Sequence, residues 1–263
     1  MTARPSNVRR VQDLAINLVA SVLAAVAAWV VQRAVAYRRL ARMRGFFGLR
    51  DGAPSLLIVG RHWSSARMSS VHRNDVAAIV ELGAIVKECG GRADLVPAAE
   101  APKELGKVTE FCVGGRESNP RTEAHLAALL PGVRVTTYAE AGDPVPLLVG
   151  EHRFERDPHH VAHVLLARVV PTAHPIFLLV GQTALSNLAA ARYLAENHRE
   201  LQRRYGDQSP FCLALRVREP AAYGPDLVEL VGDVTEAAFG GTPPPALPRP
   251  RLRQPWWAVG RRR

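Results

Sequence analysis

Two short polar segments of the sequence carry the side chains best suited to bind a ligand. One is VGGRESNPRT, in which Gly114 and Gly115 follow an apolar run, and the other is LLVGQTALSN, in which Gly181 follows another. Glycine lets a ligand approach the backbone, and a helix that starts after it offers N–H groups and partial positive charge to a phosphate or carboxylate. The candidate ligand-binding residues are Gly114, Gly115, Arg116, Ser118, Asn119, Arg121, Thr122, Gly181, Thr183, Ser186 and Asn187.

The same two segments also have a purely structural interpretation. Glycine at the end of a strand and Ser or Asn at the start of a helix are typical of any turn between the two elements. Neither segment is a GxGxxG fingerprint or a phosphate loop with its lysine. The sequence therefore leaves open whether these turns bind an anionic, nucleotide-like molecule or only cap helices, and it identifies no cofactor.

The sequence identifies no catalytic residue. Glu117, Glu151 and Asp75 lie near predicted strand ends, where a carboxylate could transfer a proton, but nothing distinguishes one of them. No GxSxG segment is present for a serine nucleophile. Three functions stay open: a sensing or regulatory domain that binds the ligand, a hydrolase acting on a nucleotide or a glycosidic bond, and a scaffold without a ligand.

A histidine pair raises the question of a metal site. His159 and His163 are four residues apart, which is the spacing of a zinc-binding pair on a helix. The apolar stripe of a helix predicted over residues 158–170 would turn both histidines towards solvent. No HExxH segment is present, and we expect no metal site here.

The elements that position these residues alternate between short apolar runs and longer helical patterns. Strands that are apolar almost throughout, separated by helices, predict a mainly parallel sheet covered on both faces. We therefore predict a three-layer, Rossmann-like α/β domain over residues 55–236, whose last two strands form an antiparallel pair. The predicted strands are 55–60, 93–97, 109–114, 133–137, 145–150, 175–181, 211–217 and 227–234, and the predicted helices are 73–89, 120–130, 158–170 and 184–205.

An uncharged segment precedes this domain. Residues 14–31 read LAINLVASVLAAVAAWVV, and a helix of this length spans about 27 Å, close to the thickness of a bilayer's hydrocarbon core. A cleaved signal peptide has a shorter apolar core, and a soluble amphipathic helix carries a polar stripe. We predict a transmembrane helix over residues 14–37, which makes the lipid bilayer a partner of this chain.

Charge and cysteine content predict the orientation. Three Arg precede the apolar segment and six lie between it and residue 50, which favours a cytoplasmic domain under the positive-inside rule. The three cysteines are odd in number, and Cys112 and Cys212 lie in apolar runs, which is typical of buried thiols in a reducing compartment. We therefore expect a single-pass protein of the cell membrane with its C-terminal domain in the cytoplasm.

The net charge of +10 is concentrated at the two ends of the chain. Residues 1–50 hold nine Arg and one Asp, and residues 249–263 hold six Arg and no acidic residue, so the part between is mildly acidic. Nucleic-acid binding therefore loses its electrostatic basis, whereas basic ends suit an anionic lipid surface. We predict a basic flank over 1–13, a basic linker over 38–54 and a disordered tail rich in Pro and Arg over 237–263.

The small face of the apolar segment also allows two copies of the chain to pair. Asn17, Ser21, Ala24 and Ala28 fall on one side of a helix, where small side chains permit close approach and Asn can bond to a partner helix. A homodimer through the transmembrane helix is therefore one predicted assembly.

The chain resembles uncharacterised actinobacterial single-pass membrane proteins with a Rossmann-like domain. The resemblance rests on an Arg- and Ala-rich, Lys-poor composition, on the GGRESNPRT turn and on the VGQTALSNLAAARYLAEN segment. It covers the region after the apolar segment. It implies a Rossmann-like fold and no established activity.

Overall fold

The structure is a computed structural model that describes the backbone of residues 6–62, 70–136 and 146–241, and the side chains from residue 13 onward within these ranges. The helices are α1 (Ser6–Phe47), α2 (Arg73–Glu88), α3 (Pro120–Leu129), α4 (Ala184–Tyr205), α5 (Pro220–Tyr223) and α6 (Thr235–Gly240). The strands are β1 (Pro54–Val59), β2 (Arg92–Pro97), β3 (Thr109–Val113), β4 (Val133–Val135), β5 (Leu147–Val149), β6 (His152–Phe154), β7 (Val161–Val169), β8 (Ile176–Gly181), β9 (Phe211–Arg218) and β10 (Val228–Asp233).

The chain divides into two compact units, Met1–Arg44 and Gly45–Arg263. The first unit consists of most of helix α1, which from Asp13 onward is long and apolar enough to cross a membrane. Within it, the Ser21 hydroxyl donates to the carbonyl of Asn17 at 2.8 Å. This is the helix that the sequence predicts over residues 14–37, and it extends further than predicted.

The predicted linker over residues 38–54 is partly wrong, because the helix continues to Phe47. Its last residues belong to the second unit, where Phe46 and Phe47 are fully buried. Apolar side chains that exclude water from a core stabilise the backbone around them, which explains why the helix extends past its arginines. The linker therefore shortens to the few residues before β1.

The second unit is built on a seven-stranded sheet with the order β10-β9-β7-β8-β3-β1-β2. Strands β1, β2, β3 and β8 are parallel neighbours, whereas β7 is antiparallel to both β8 and β9. The predicted antiparallel pairing of the last two strands is confirmed by β9 and β10, although the short helix α5 lies between them. The fold is therefore a mixed α/β domain with a mostly parallel central sheet.

Both faces of the central sheet are buried, as its nearly unbroken apolar strands predict. Helices α2 and α4 cover one face, where the rings of Phe111 and Phe177 stack with centroids 5.1 Å apart. Helix α3 and a second sheet of order β4-β5-β6 contribute to the other face, where Leu126 and Val135 join the apolar core around Cys112. Strands β4 and β5 of this second sheet correspond to the predicted strands 133–137 and 145–150, whereas β6 was not predicted, and residues 137–145 lie outside the described residues.

Residues 158–170 were expected to form a helix, and this prediction is wrong. Val161–Val169 is strand β7, which lies inside the sheet between β8 and β9. A central strand is apolar on both faces, so its run VAHVLLARV fits a helical stripe as well as a buried strand, and only the pairing with β8 and β9 decides between them. His163 is consequently buried rather than solvated, and its N–H donates to Gln182 Oε1 at 2.7 Å.

The predicted disordered tail begins too early by a few residues. Helix α6 runs to Gly240, and Ala238 within it is fully buried. Its carbonyl accepts a hydrogen bond of 3.0 Å from the N–H of Gly132, which joins this helix to the turn before β4. Residues 242–263, including the rest of the predicted tail, lie outside the described residues.

A buried arginine ties the start of the second unit to the sheet. The guanidinium of Arg168, on β7, contacts the rings of both Phe46 and Phe211, with its central carbon 4.6 and 5.1 Å from their centroids. It donates to the carbonyls of Phe46, Gly206 and Ser209. Burial lowers the pKa of Arg168 to about 10, which leaves it charged at neutral pH.

Candidate functional site

The carboxyl ends of three parallel strands meet at one edge of the sheet. Gly60 follows β1 and donates its N–H to the carbonyl of Val113, while Gly114 follows β3 and donates to the carbonyl of Leu179. Gly181 ends β8, which neighbours β3. The two turns that the sequence singles out, after β3 and after β8, therefore lie at the same edge.

Glycine is required at two of these strand ends. Gly114 has a φ of +108°, and a Cβ there would lie 2.7 Å from Ser118 Oγ. A Cβ on Gly181 would lie 2.4 Å from Ser186 Oγ, which is closer than side-chain carbons approach one another or an oxygen. The backbones of the turns are thus packed tightly against the first residues of the helices that follow.

A cleft of about 260 Å³ opens between these strand ends. Six of the predicted ligand-binding residues line it: Gly115, Arg116, Ser118, Gly181, Thr183 and Asn187. The wall also includes residues outside the predicted set, namely Arg61, His62, His72, Asp75, Glu117, Val135, Thr136, Leu147, Gln182 and Ala184. The cleft combines arginines, carboxylates and imidazoles with an apolar wall from β4 and β5.

Arg121 was expected to reach a ligand, but the structure places its guanidinium in an internal ion pair. Its Nη2 lies 2.7 Å from Oε1 of Glu110 and its Nε lies 3.0 Å from Oε2, and His125 Nε2 is 3.0 Å from the same Oε2. Burial raises the pKa of Glu110, but the hydrogen bonds from His125 and Arg121 outweigh it, so the net pKa is lowered. Arg121 is therefore occupied by a buried carboxylate and does not line the cleft.

Other predicted binding residues act as helix caps. Asn119 is fully buried, accepts the N–H of Thr122 at 3.0 Å and donates to the carbonyl of Val113. Thr183 and Ser186 form a reciprocal capping box at the start of α4, in which each side chain satisfies the other's backbone N–H. For Asn119 and Ser186 the structural interpretation of the turns is thus sufficient, whereas Thr122 contributes only its backbone N–H to the Asn119 cap.

Asp75 is a buried carboxyl in the wall of the cleft. Its side chain belongs to α2 and is buried, and its Oδ1 accepts a hydrogen bond of 2.8 Å from Asn187 Nδ2. Burial raises the pKa of Asp75, and the hydrogen bond from Asn187 and the nearby His72 and His62 offset only part of the rise. Of the three carboxylates weighed in the sequence, Asp75 and Glu117 line the cleft, whereas Glu151 is exposed in the turn before β6.

Two imidazoles stand beside Asp75 that the sequence did not single out. The rings of His62 and His72 stack with centroids 5.3 Å apart. His72 is the N-cap of α2, and its Nδ1 accepts the N–H of Asn74 at 3.1 Å, so a neutral ring carries its proton on Nε2. In the sequence, only the length and polarity of the segment between Gly60 and Asp75 indicated that this segment could contribute to a site. Residues 63–69 of this segment lie outside the described part of the chain.

Arg116 is the predicted arginine that does line the cleft. Its Nη1 donates to the carbonyl of Val135 at 3.2 Å, and its Nη2 lies 3.4 Å from the Glu123 carboxylate. These contacts hold the side chain along the cleft wall while leaving it partly exposed. The guanidinium of Arg116 thus contributes a positive charge to the wall of the cleft.

One buried group of side chains has the composition of a metal site. The ligand atoms of Glu110, Cys112 and His125 all lie within 4.8 Å of one another. Both oxygens of Glu110 already accept bonds from Arg121, and burial raises the pKa of the Cys112 thiol well above its usual value. A protonated thiol and a carboxylate neutralised by arginine do not favour a cation, so we assign this group as an internal ion-pair network.

Comparison with known proteins assigns no family to the chain. No protein-family model matches the sequence, and no curated protein matches it. Any function is therefore inferred from the cleft.

Proposed function

We propose that this chain is a membrane-anchored α/β protein whose strand-end cleft binds an anionic, nucleotide-like small molecule in a sensing or regulatory role. The observation that carries the proposal is the convergence of the ends of β1, β3 and β8 on one cleft. The strand order around it is β2-β1-β3, so the chain reverses direction across the sheet between β1 and β3. In open Rossmann-like sheets, ligands bind at such a reversal, beyond the carboxyl ends of the strands.

Helix N-termini supply attraction for an anion at this place. Helix α4 begins at Ala184 and helix α2 begins directly after His72, and both residues line the cleft. The first N–H groups of a helix have no acceptor within the helix and carry partial positive charge. Arg116 and Arg61 add charged donors along the same wall, which favours a phosphate or a carboxylate.

The rest of the wall suits an apolar ring. Val135 of β4 and Leu147 of β5 also line the cleft, and Thr136 donates its hydroxyl to the carbonyl of Pro146, which leaves its methyl group as the remaining apolar surface. A ligand with an anionic end and a flat apolar end matches this division. A nucleotide has both.

The membrane assignment rests on α1 and on the charges around it. The helix carries exposed apolar side chains such as Leu23 and Trp29, which lipid would cover. The arginine excess after the apolar segment supports a cytoplasmic location for Gly45–Arg263, and the small helix face around Asn17 and Ser21 supports a homodimer through this helix. Nucleic acid is not a proposed partner, because the part of the chain between the basic ends is mildly acidic.

A hydrolase acting on a nucleotide or a glycosidic bond is the alternative that a specific observation favours. Asp75 is a buried carboxyl with a raised pKa, and two imidazoles stand in the same cleft. A buried carboxyl beside imidazoles in a cleft has the composition of a general acid–base site. Release of product from a bound nucleotide during prolonged incubation would distinguish the enzyme from the binding domain.

A thermal-shift experiment on the full-length chain in detergent tests the proposal. Cys89, Cys112 and Cys212 are buried free thiols, so a fluorogenic thiol reagent reports unfolding. We expect AMP, GMP or ribose 5-phosphate to raise the melting temperature, and we expect the Arg116→Ala variant to reduce that rise. A melting temperature that none of these compounds changes would favour the scaffold without a ligand.

A further inference from the structure

The carboxyl of Asp75 does not form the capping-box hydrogen bond that its position in helix α2 allows. It is the third residue of α2 after the His72 N-cap, where an acidic side chain usually accepts the N–H of the cap residue. Within the described residues it accepts instead one hydrogen bond, from Asn187 on a different helix. Helix capping therefore does not explain why a carboxylate stands at this position.

The orientation of the Asn187 amide is fixed from its other side. The N–H of Gly181 donates to Asn187 Oδ1 at 2.7 Å, so Oδ1 is the acceptor and Nδ2 must be the group that faces Asp75. One oxygen of Asp75 thus receives a neutral donor, and the carboxyl keeps further acceptor capacity on the cleft wall. An asparagine at position 75 could accept the same bond from Asn187.

Burying a carboxylate with a single neutral donor destabilises the unliganded protein. The pKa of Asp75 is raised above its usual value of 3.8 chiefly by burial, so ionisation of this group lowers the free energy of unfolding at neutral pH. Groups that destabilise a fold at a ligand cleft are commonly kept for function. Hydroxyl donors from a ligand would offset the cost.

We propose that Asp75 is the ligand-recognising carboxylate of the cleft and that it accepts hydrogen bonds from sugar hydroxyls, so that the ligand class is a nucleotide or sugar phosphate. The inference rests on the proposed function and deepens it. Gly115 and the start of α4 face the anionic group, while Asp75 accepts hydrogen bonds from the hydroxyl groups beside it. A simple inorganic anion would contact only Gly115 and the start of α4, because it has no sugar hydroxyl to donate to Asp75.

The test compares the full-length wild type in detergent with D75N, which keeps the bond to Asn187 and removes the charge. We expect D75N to melt at the same or a higher temperature than the wild type without ligand. We expect its affinity for ribose 5-phosphate to fall by about 10- to 100-fold, the usual effect of losing bonds to a charged acceptor, while its affinity for inorganic phosphate is unchanged. The matched control is D94N, which changes an exposed aspartate paired with Arg92 on edge strand β2 and should alter neither affinity.

The outcomes separate this inference from the proposed function. Equal affinity of D75N and wild type for ribose 5-phosphate would overturn the inference and leave the proposed function standing. A lower melting temperature of D75N, together with losses for ribose 5-phosphate and phosphate alike, would make Asp75 a structural residue and also overturn it. Failure of every compound to bind the wild type would contradict both the inference about Asp75 and the proposed function.

A second measurement needs no variant. Since protonation removes the charged acceptor, the ratio of the affinities of the wild type for ribose 5-phosphate and for methyl phosphate should fall as the pH is lowered through the raised pKa of Asp75. Both compounds are phosphate monoesters with a second pKa of about 6, so the titration of the phosphate cancels in the ratio. A ratio that stays constant as the pH falls from about 8 to the usual aspartate value of 3.8 would contradict the inference.

Discussion

The amide of Asn187 holds the carboxyl of Asp75 at 2.8 Å, across 112 residues of sequence. This bond joins α2 to α4 at the edge of the sheet, and the same amide accepts the N–H of Gly181 at the end of β8. One side chain thus sets the relative position of two helix starts and one strand end. Because all three line the cleft, the geometry of the cleft depends on it.

Replacing Asn187 with Leu should therefore destabilise the protein more than the loss of one bond would suggest. It removes the donor to Asp75 and the acceptor of Gly181, and both groups are then left unsatisfied. Each such group costs about 1–3 kcal/mol. Thermal unfolding followed through the buried thiols measures the loss, and a change within about 0.5 kcal/mol of wild type, as at an ordinary surface position, would contradict the arrangement.

The ion pair between Glu110 and Arg121 predicts how stability depends on acid. The folded-state pKa of Glu110 is lowered below its usual value of 4.5, so its contribution to stability is present above that value and is lost as the pH falls through the folded pKa. We expect Glu110→Gln to be less stable than wild type at neutral pH and the difference to shrink below about pH 4. A stability difference between Glu110→Gln and wild type that does not change with pH would show that the charge of Glu110 does not contribute to stability.

Arg121→Leu separates folding from ligand binding. The substitution leaves the Glu110 carboxylate buried without its principal partner, an arrangement that typically costs about 3–5 kcal/mol. Since Arg121 does not line the cleft, the variant that remains folded at low temperature should bind ribose 5-phosphate as the wild type does. If Arg121→Leu lost ligand binding without losing stability, Arg121 would instead be a direct ligand contact.

Membrane integration depends on the apolar part of α1. Replacing Leu23 and Val26 with Arg should prevent it, because each central arginine costs about 2.5–3.5 kcal/mol during insertion. Extraction of cell membranes with alkaline carbonate gives the measurement: the wild type should stay in the pellet and the variant should not. Extraction of the wild type into the supernatant would contradict the anchor.

The sequence predicts those elements whose boundaries depend on local chemistry. Helix α4 was expected over residues 184–205 and is found there, because Thr183 caps its start and Gly206 follows its end. Strand β7 was missed, since a run that is buried on both faces carries no periodicity that separates strand from helix. The neighbours that identify it, β8 and β9, are assigned only by tertiary pairing.

Within the candidate site, local sequence reasoning found backbone turns but not side-chain partners. Gly115 and Gly181 were identified because strand ends require glycine there. The ion pair of Arg121 was not predicted because its partner, Glu110, lies inside the buried strand TEFCV, although a charged residue in such a strand itself indicates a nearby counter-charge. The pairing of Asp75 with Asn187 joins two helices far apart in sequence and leaves no local trace.

If the strand-end cleft binds a nucleotide-like anion, a side chain added at Gly115 should weaken that binding. A Cβ on Gly115 would meet Gly181 O at 3.8 Å and Val135 Cγ1 at 3.9 Å, which are ordinary contacts, so Gly115→Ala should fold normally while placing a methyl group on the cleft wall. Titration of the full-length protein with AMP, GMP and ribose 5-phosphate should show at least about 10-fold weaker binding to this variant, which corresponds to about 1.4 kcal/mol, because the added methyl group keeps the ligand away from the backbone. The matched control, Gly83→Ala, lies inside α2 with its nearest contact at 3.6 Å and should bind as the wild type does. Equal binding by wild type and Gly115→Ala, or no binding by either, would contradict the claim.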